Sequence, residues 1–107
     1  MNNDINLKET KLKYSSVVEI NTDNAGKYIQ QLCKHFAHKV EVQYDDQKGH
    51  VDFPMGVSNM TASPNTLQIT SETDESEEAR RTIEVIIEKH LVKFAWREDI
   101  SFDWNIK

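Results

Sequence analysis

Cysteine is scarce in this chain. Cys33 stands alone among 107 residues, so no internal disulfide can form, and a reducing compartment, the cytoplasm, is the expected location. Glycine and proline number only three and two, too few glycines for a phosphate-cradling loop. No apolar run approaches the roughly 18 residues of a membrane-spanning helix. The polar opening from Met1 to Lys11 lacks the apolar centre of a secretory signal. Positive charge is in the minority, with thirteen Lys and Arg against eighteen Asp and Glu and a net charge of −5. The lysines are scattered, so no cationic stripe offers itself to phosphates, and neither nucleic acid nor a membrane is an expected partner.

What the chain does have is alternation. From Leu12 to Ile20, Leu12, Tyr14, Ser16, Val18 and Ile20 point one way and Lys13, Ser15, Val17 and Glu19 the other, the pattern of a half-buried strand. Asn21 to Asn24 break it and supply helix caps. Ala25, Tyr28, Ile29, Leu32 and Phe36 then follow the helical period to about Lys39. Four short strands follow: Val40 to Tyr44, Val51 to Met55, a faintly patterned Val57 to Ala62 suited to a sheet edge, and Thr66 to Ser71. A second helix starts near Asp74, with Glu77 placed for a capping box. It buries Ala79, Ile83, Ile86, Ile87, His90, Leu91 and Phe94. Ile100, Phe102, Trp104 and Ile106 alternate with polar residues as a last strand.

Strands with one apolar and one polar side belong to a sheet covered on one face only. The order strand, helix, four strands, helix, strand therefore predicts an α+β fold. It is a two-layer sandwich over residues 12–107, with two helices on one face of a largely antiparallel sheet and a polar tail, 1–11, before it. The element order is that of TATA-binding-protein-like folds, an analogy of architecture that implies nothing about DNA.

Chemistry near neutral pH concentrates in LCKHFAHK (Leu32 to Lys39) and HLVKFAWRE (His90 to Glu98). On a helix His35 and His38 stand about 60° apart and can share a metal, whereas Cys33 points about 160° from His35 and drops out as a small core residue. His90, in the middle of an apolar stripe, needs a hydrogen-bond partner, for which a carbonyl or a tyrosine hydroxyl suffices. The alternative is that His35, His38 and His90 converge on a metal or polar ligand. Antiparallel helices of this length predict roughly 20 Å between His35 and His90, against that convergence. Arg97 complements the end of the second helix or clamps an anion, and Glu98 is expected to pair with a lysine. Trp96 and Trp104 read as core or edge packing. His50, Asp52 and Asp103 read as solvated residues on the open sheet face.

LCKHFAHK, the FPMG turn (Phe53 to Gly56) and the HLxxFAxRE pattern together resemble a small bacterial family, domain of unknown function 2218, from about Tyr14 to Trp104. The resemblance implies no activity or cofactor. Through the company such domains keep with siderophore-interacting flavin reductases, it implies a place in iron handling and such a reductase as partner.

The expected function is a non-catalytic accessory protein that binds a small polar ligand or a metal. The ligand-binding candidates are His35, His38, His90, Arg97 and Glu98, and His35 and His38 are the metal candidates. A structural or interaction module, as a homodimer or as the partner of a reductase, is the alternative. An enzyme built from the same His, Arg and Glu groups comes third, since no nucleophile elbow or nucleophile–base spacing is present.

Overall fold

The computed structural model describes residues 12–107, and the polar tail expected at 1–11 lies outside the described residues. In chain order the elements are β1 (Tyr14–Asn21), α1 (Ala25–Phe36), β2 (Glu41–Tyr44), β3 (Lys48–Phe53), β4 (Gly56–Ser63), β5 (Thr66–Thr73), α2 (Glu77–Phe94) and β6 (Asn105–Ile106). The six strands make one antiparallel sheet in the order β2-β3-β4-β5-β1-β6. Val18, Ile20, Val51, Met60, Leu67 and Ile69 point into a single core shared with both helices. Their alternate neighbours Glu19, Asp52, Thr61 and Gln68 are exposed on the other face. The fold is α+β, as the alternation predicts.

Local chemistry fixes the ends of the elements. Asp45 Oδ1 accepts from the amides of Gln47 and Lys48, both at 2.8 Å, and closes the β2–β3 turn. α1 buries Ala25, Tyr28, Ile29, Leu32, Cys33 and Phe36, a stripe at helical spacing. Gly49 lets that stripe approach the sheet: a Cβ there would lie 2.9 Å from both Cys33 Sγ and Ile29 Cγ2. α2 starts two residues later than the capping pattern suggested. Ser76 Oγ accepts from Ala79 N at 3.0 Å, and Asp74 instead accepts from the Lys13 amide at 2.8 Å.

α2 also buries an ion pair. Glu84 accepts from Arg80 at 3.2 Å, from Arg81 at 2.8 Å and from Ser16 Oγ of β1 at 2.5 Å. Three donors offset the desolvation of a carboxylate only 3% exposed.

Three expectations are corrected. β4 is not an edge strand but lies between β3 and β5. Its inward residues include the buried Ser58 and the small Ala62, so an interior strand shows little hydropathy contrast. The last strand shrinks to Asn105–Ile106, paired with Val17 and Ser16. Ile100, Phe102 and Trp104 are half-buried as alternation requires and pack against the core, but the stretch forms no ladder, and Trp104 Nε1 instead donates to Glu88 of α2 at 2.7 Å. Ile106 and Trp96, both expected to be packed, are each 70% exposed.

Candidate functional site

α1 ends at Phe36 in a tight turn: the amides of Lys39 and Val40 both reach the Phe36 carbonyl, at 2.9 and 3.0 Å. The turn carries His38 and Lys39 to the rim of a cleft of about 330 Å³, where His35 and Phe36 of α1 face His90 of α2 and Phe53 at the end of β3. Phe36 is the floor, with its ring centroid 5.3 Å from Phe53 and 5.0 Å from His90 in edge-on contacts.

His35 and His90 meet, with ring centroids 4.6 Å apart. The separation of roughly 20 Å expected from antiparallel helices is therefore wrong. The helices are slipped along each other. His35 packs beside His90 and Phe94 near the end of α2, and the chain beyond α2 runs back along α1 until Glu98 reaches Tyr28 and Asn24.

His90 Nδ1 lies 2.7 Å from the Ile86 carbonyl. A carbonyl only accepts, so Nδ1 carries the proton, and the neutral ring keeps its lone pair on Nε2. His35 has its pKa lowered below the usual 6.5, first by burial and then by the positive fields of His90, His38, Lys39 and Lys93. Among the described residues that line the cleft none is acidic, and none is a serine or cysteine. Two neighbouring imidazoles thus sit over an apolar floor, with Lys39 at the rim and the field of Lys93 reaching His35, and with neither a hydroxyl or thiol nucleophile nor an orienting carboxylate among the lining residues.

Over residues 17–105 the chain matches the family described as uncharacterized protein conserved in bacteria (DUF2218). The chain belongs to that family. Its fold is similar to the NMR structure of PA4090 from Pseudomonas aeruginosa, with a TM-score of 0.72 and 25% identity over 86% of this chain and 95% of that one. No curated protein matches the chain. The segments that carry the DUF2218 resemblance converge at the cleft: His35 to Lys39 from the first, Phe53 from the second and His90 from the third.

The other candidates of this DUF2218 chain lie elsewhere. Among the described residues Glu98 pairs with no lysine. Its Oε2 accepts from Thr22 Oγ1 and Asn24 Nδ2, each at 3.0 Å, and from the Tyr28 hydroxyl. Tyr28 and Asn24 hold the Glu98 carboxyl below its usual pKa despite the opposing effect of burial. Burial, then the Glu98 carboxylate, push the Tyr28 hydroxyl up. This is a clasp between the start of α1 and the turn after α2. It also draws Asn24 away from capping α1, whose first turn has no side-chain cap. The Arg97 guanidinium lies 4.6 Å from the Trp96 ring centroid, stacked at the surface. Cys33 is fully buried, and burial pushes its thiol up to about 11.

Among the described residues no three His, Cys, Asp or Glu side chains are grouped to hold a metal ion. The three-histidine metal centre is not assembled, although all three rings border one cleft.

Sequence reasoning missed two features. Phe53, Lys39 and Lys93 complete the cleft and its field, and only their presence in the quoted motifs pointed to them. On the open face His50 is not simply solvated: Nδ1 lies 2.6 Å from Asn59 Oδ1 and Nε2 3.0 Å from Asp52 Oδ1. Burial alone would lower the His50 pKa, but these two acceptors and the charges of Asp52 and Glu72 outweigh it and raise it above 6.5.

Proposed function

We propose that this chain is a non-catalytic binding protein whose cleft between α1, α2 and the end of β3 holds a small ligand with an apolar body and a polar head. The observation that carries this reading is the convergence of His35, Phe53 and His90, far apart in sequence, on one concavity of about 330 Å³. Ligand cavities commonly start near this size and combine apolar walls with a few polar groups. The apolar body would lie on Phe36 and Phe53 and the head against the imidazoles. Lys39 and Lys93 bring positive charge to His35 and disfavour a bare metal ion there, so a small molecule suits the site better than zinc or iron alone. A role in iron or siderophore handling enters as one case, an anionic iron chelate seated as a whole.

The test is chemical-shift mapping of the full chain against a fragment set that includes apolar acids, amides and an iron–catecholate chelate. Shifts confined to His35, Phe36, Phe53 and His90, and abolished by Phe53→Trp, are expected. Fragments that bind only elsewhere, or none that bind, would remove the reading.

A second reading, an interaction module, draws on Val92 in the last turn of α2 and Trp96 just beyond it, 47% and 70% exposed. Light scattering that finds a dimer broken by Trp96→Glu would favour it, and a monomer at high concentration would count against the homodimer.

A further inference from the structure

We infer that the ligand of this cleft is an apolar anion, an aromatic or branched carboxylate, and that it enters together with one proton taken up by the His35–His90 pair. This rests on the cleft being the binding site, as proposed above.

The charge distribution is the first ground. In a chain of net charge −5, every ionisable group lining the cleft among the described residues is a histidine or lysine. The fields reaching His35 come from His90 and Lys93 of α2 and from His38 and Lys39 beyond its own helix, and β3 contributes only the apolar Phe53. A cationic head would meet uncompensated repulsion there and an anionic head would relieve it.

Hydrogen-bond chemistry is the second. The Ile86 carbonyl commits His90 Nδ1 as donor, which leaves Nε2 as an acceptor in the neutral ring. A carboxylate is also acceptor-only, so the two cannot bond until Nε2 gains a proton. That proton comes from solvent, and no covalent bond forms or breaks. Without an anion, a proton on His35 is opposed by the neighbouring ring 4.6 Å away and by the lysines. A bound carboxylate removes that penalty, so ligand and proton bind cooperatively.

Calorimetric titration of the full chain with naphthoate, and with naphthamide as its neutral counterpart, in two buffers of different ionisation enthalpy tests this. Naphthoate is expected to bind at least about tenfold more tightly than the amide, with about one proton taken up, and to weaken up to about tenfold per pH unit between pH 7 and 8. His90→Gln and, independently, His35→Gln should each weaken naphthoate and flatten that pH dependence, with the fold checked by circular dichroism. Equal affinity for acid and amide, or a binding enthalpy that ignores the buffer, overturns the inference. If the amide still shifts Phe53 and His90 resonances in that case, the cleft reading survives. If neither probe shifts them, both fall.

Discussion

The Tyr28 hydroxyl and the Glu98 carboxylate, 70 residues apart in sequence, share a hydrogen bond that ties the start of α1 to the turn after α2. It lies on the same run of contacts along α1 as the meeting of His35 and His90. Glu98→Ala leaves the Tyr28 hydroxyl, in a side chain only 4% exposed, without its acceptor and should cost about 1–3 kcal/mol. Because the folded state holds the Glu98 pKa below its usual 4.5, the clasp contributes fully above that value and is lost as pH falls through the lower folded value. Urea melts at pH 7 and at successively acid pH should show the gap between wild type and Glu98→Gln closing below about pH 4.5. A gap independent of pH would contradict the assignment.

Buried charge on α2 makes a second, opposite case. Glu84→Ala removes the partner of Arg80 and the acceptor of Ser16 and should destabilise by about 3–5 kcal/mol. Replacing both charges, Arg80→Met with Glu84→Leu, should recover most of that loss, because no uncompensated ion is then buried. Denaturant titration of the single and double variants distinguishes the two outcomes.

Cys33 and Gly49 pack against one another across the α1–sheet contact. Gly49→Ala places a methyl 2.9 Å from Cys33 Sγ and should cost about 1–3 kcal/mol by overpacking. Cys33→Ala in the same chain should return part of it, a coupling that a double-mutant cycle reads directly. Native Cys33 should resist a thiol reagent at neutral pH and react once denaturant is added, since it is buried with a thiol pushed up to about 11.

On the open face, both ring nitrogens of His50 face oxygens, so its imidazolium is the form the site holds. With the folded pKa raised above 6.5, the stabilisation is complete below about pH 6.5 and fades as pH rises through the folded value. Asp52→Asn should move the His50 titration, followed by its ring proton resonances, downward toward 6.5. An unchanged midpoint would exclude the pairing.

Much of this architecture is legible residue by residue. Val18 and Ile20, the α1 stripe from Ala25 to Phe36, and the α2 positions Ile83, Ile87 and Leu91 sit where their periodicity puts them, because burying one face is what each element gains from folding. Alternation fails as a guide where another element supplies the cover. Ile100, Phe102 and Trp104 alternate because they pack against the core, with Trp104 tied to α2 through Glu88, and the buried polar Ser58 hides an interior strand by lowering its hydropathy contrast. The hydrogen-bonded state of His90 follows from burial alone. Its meeting with His35 does not, since it depends on the slip between helices, a long-range relation between segments far apart in sequence. Of the expected site, the three histidines reach one cleft, while Arg97 and Glu98 belong to the surface and to the clasp.

The sheet order has a consequence for how the chain assembles during synthesis. Strands β2 to β5 form a meander of neighbours that can zip locally, but β1 lies between β5 and β6. Made before the other strands, β1 must therefore wait, without a strand partner, until Thr66–Thr73 have been made, and its outer flank until Asn105 and Ile106 arrive. Non-local closure of this kind is slow. A nascent chain stalled before Thr66 carries Val18 and Ile20 on a strand whose partner is not yet made, so the wait of β1 is the stage at which a chaperone would matter most.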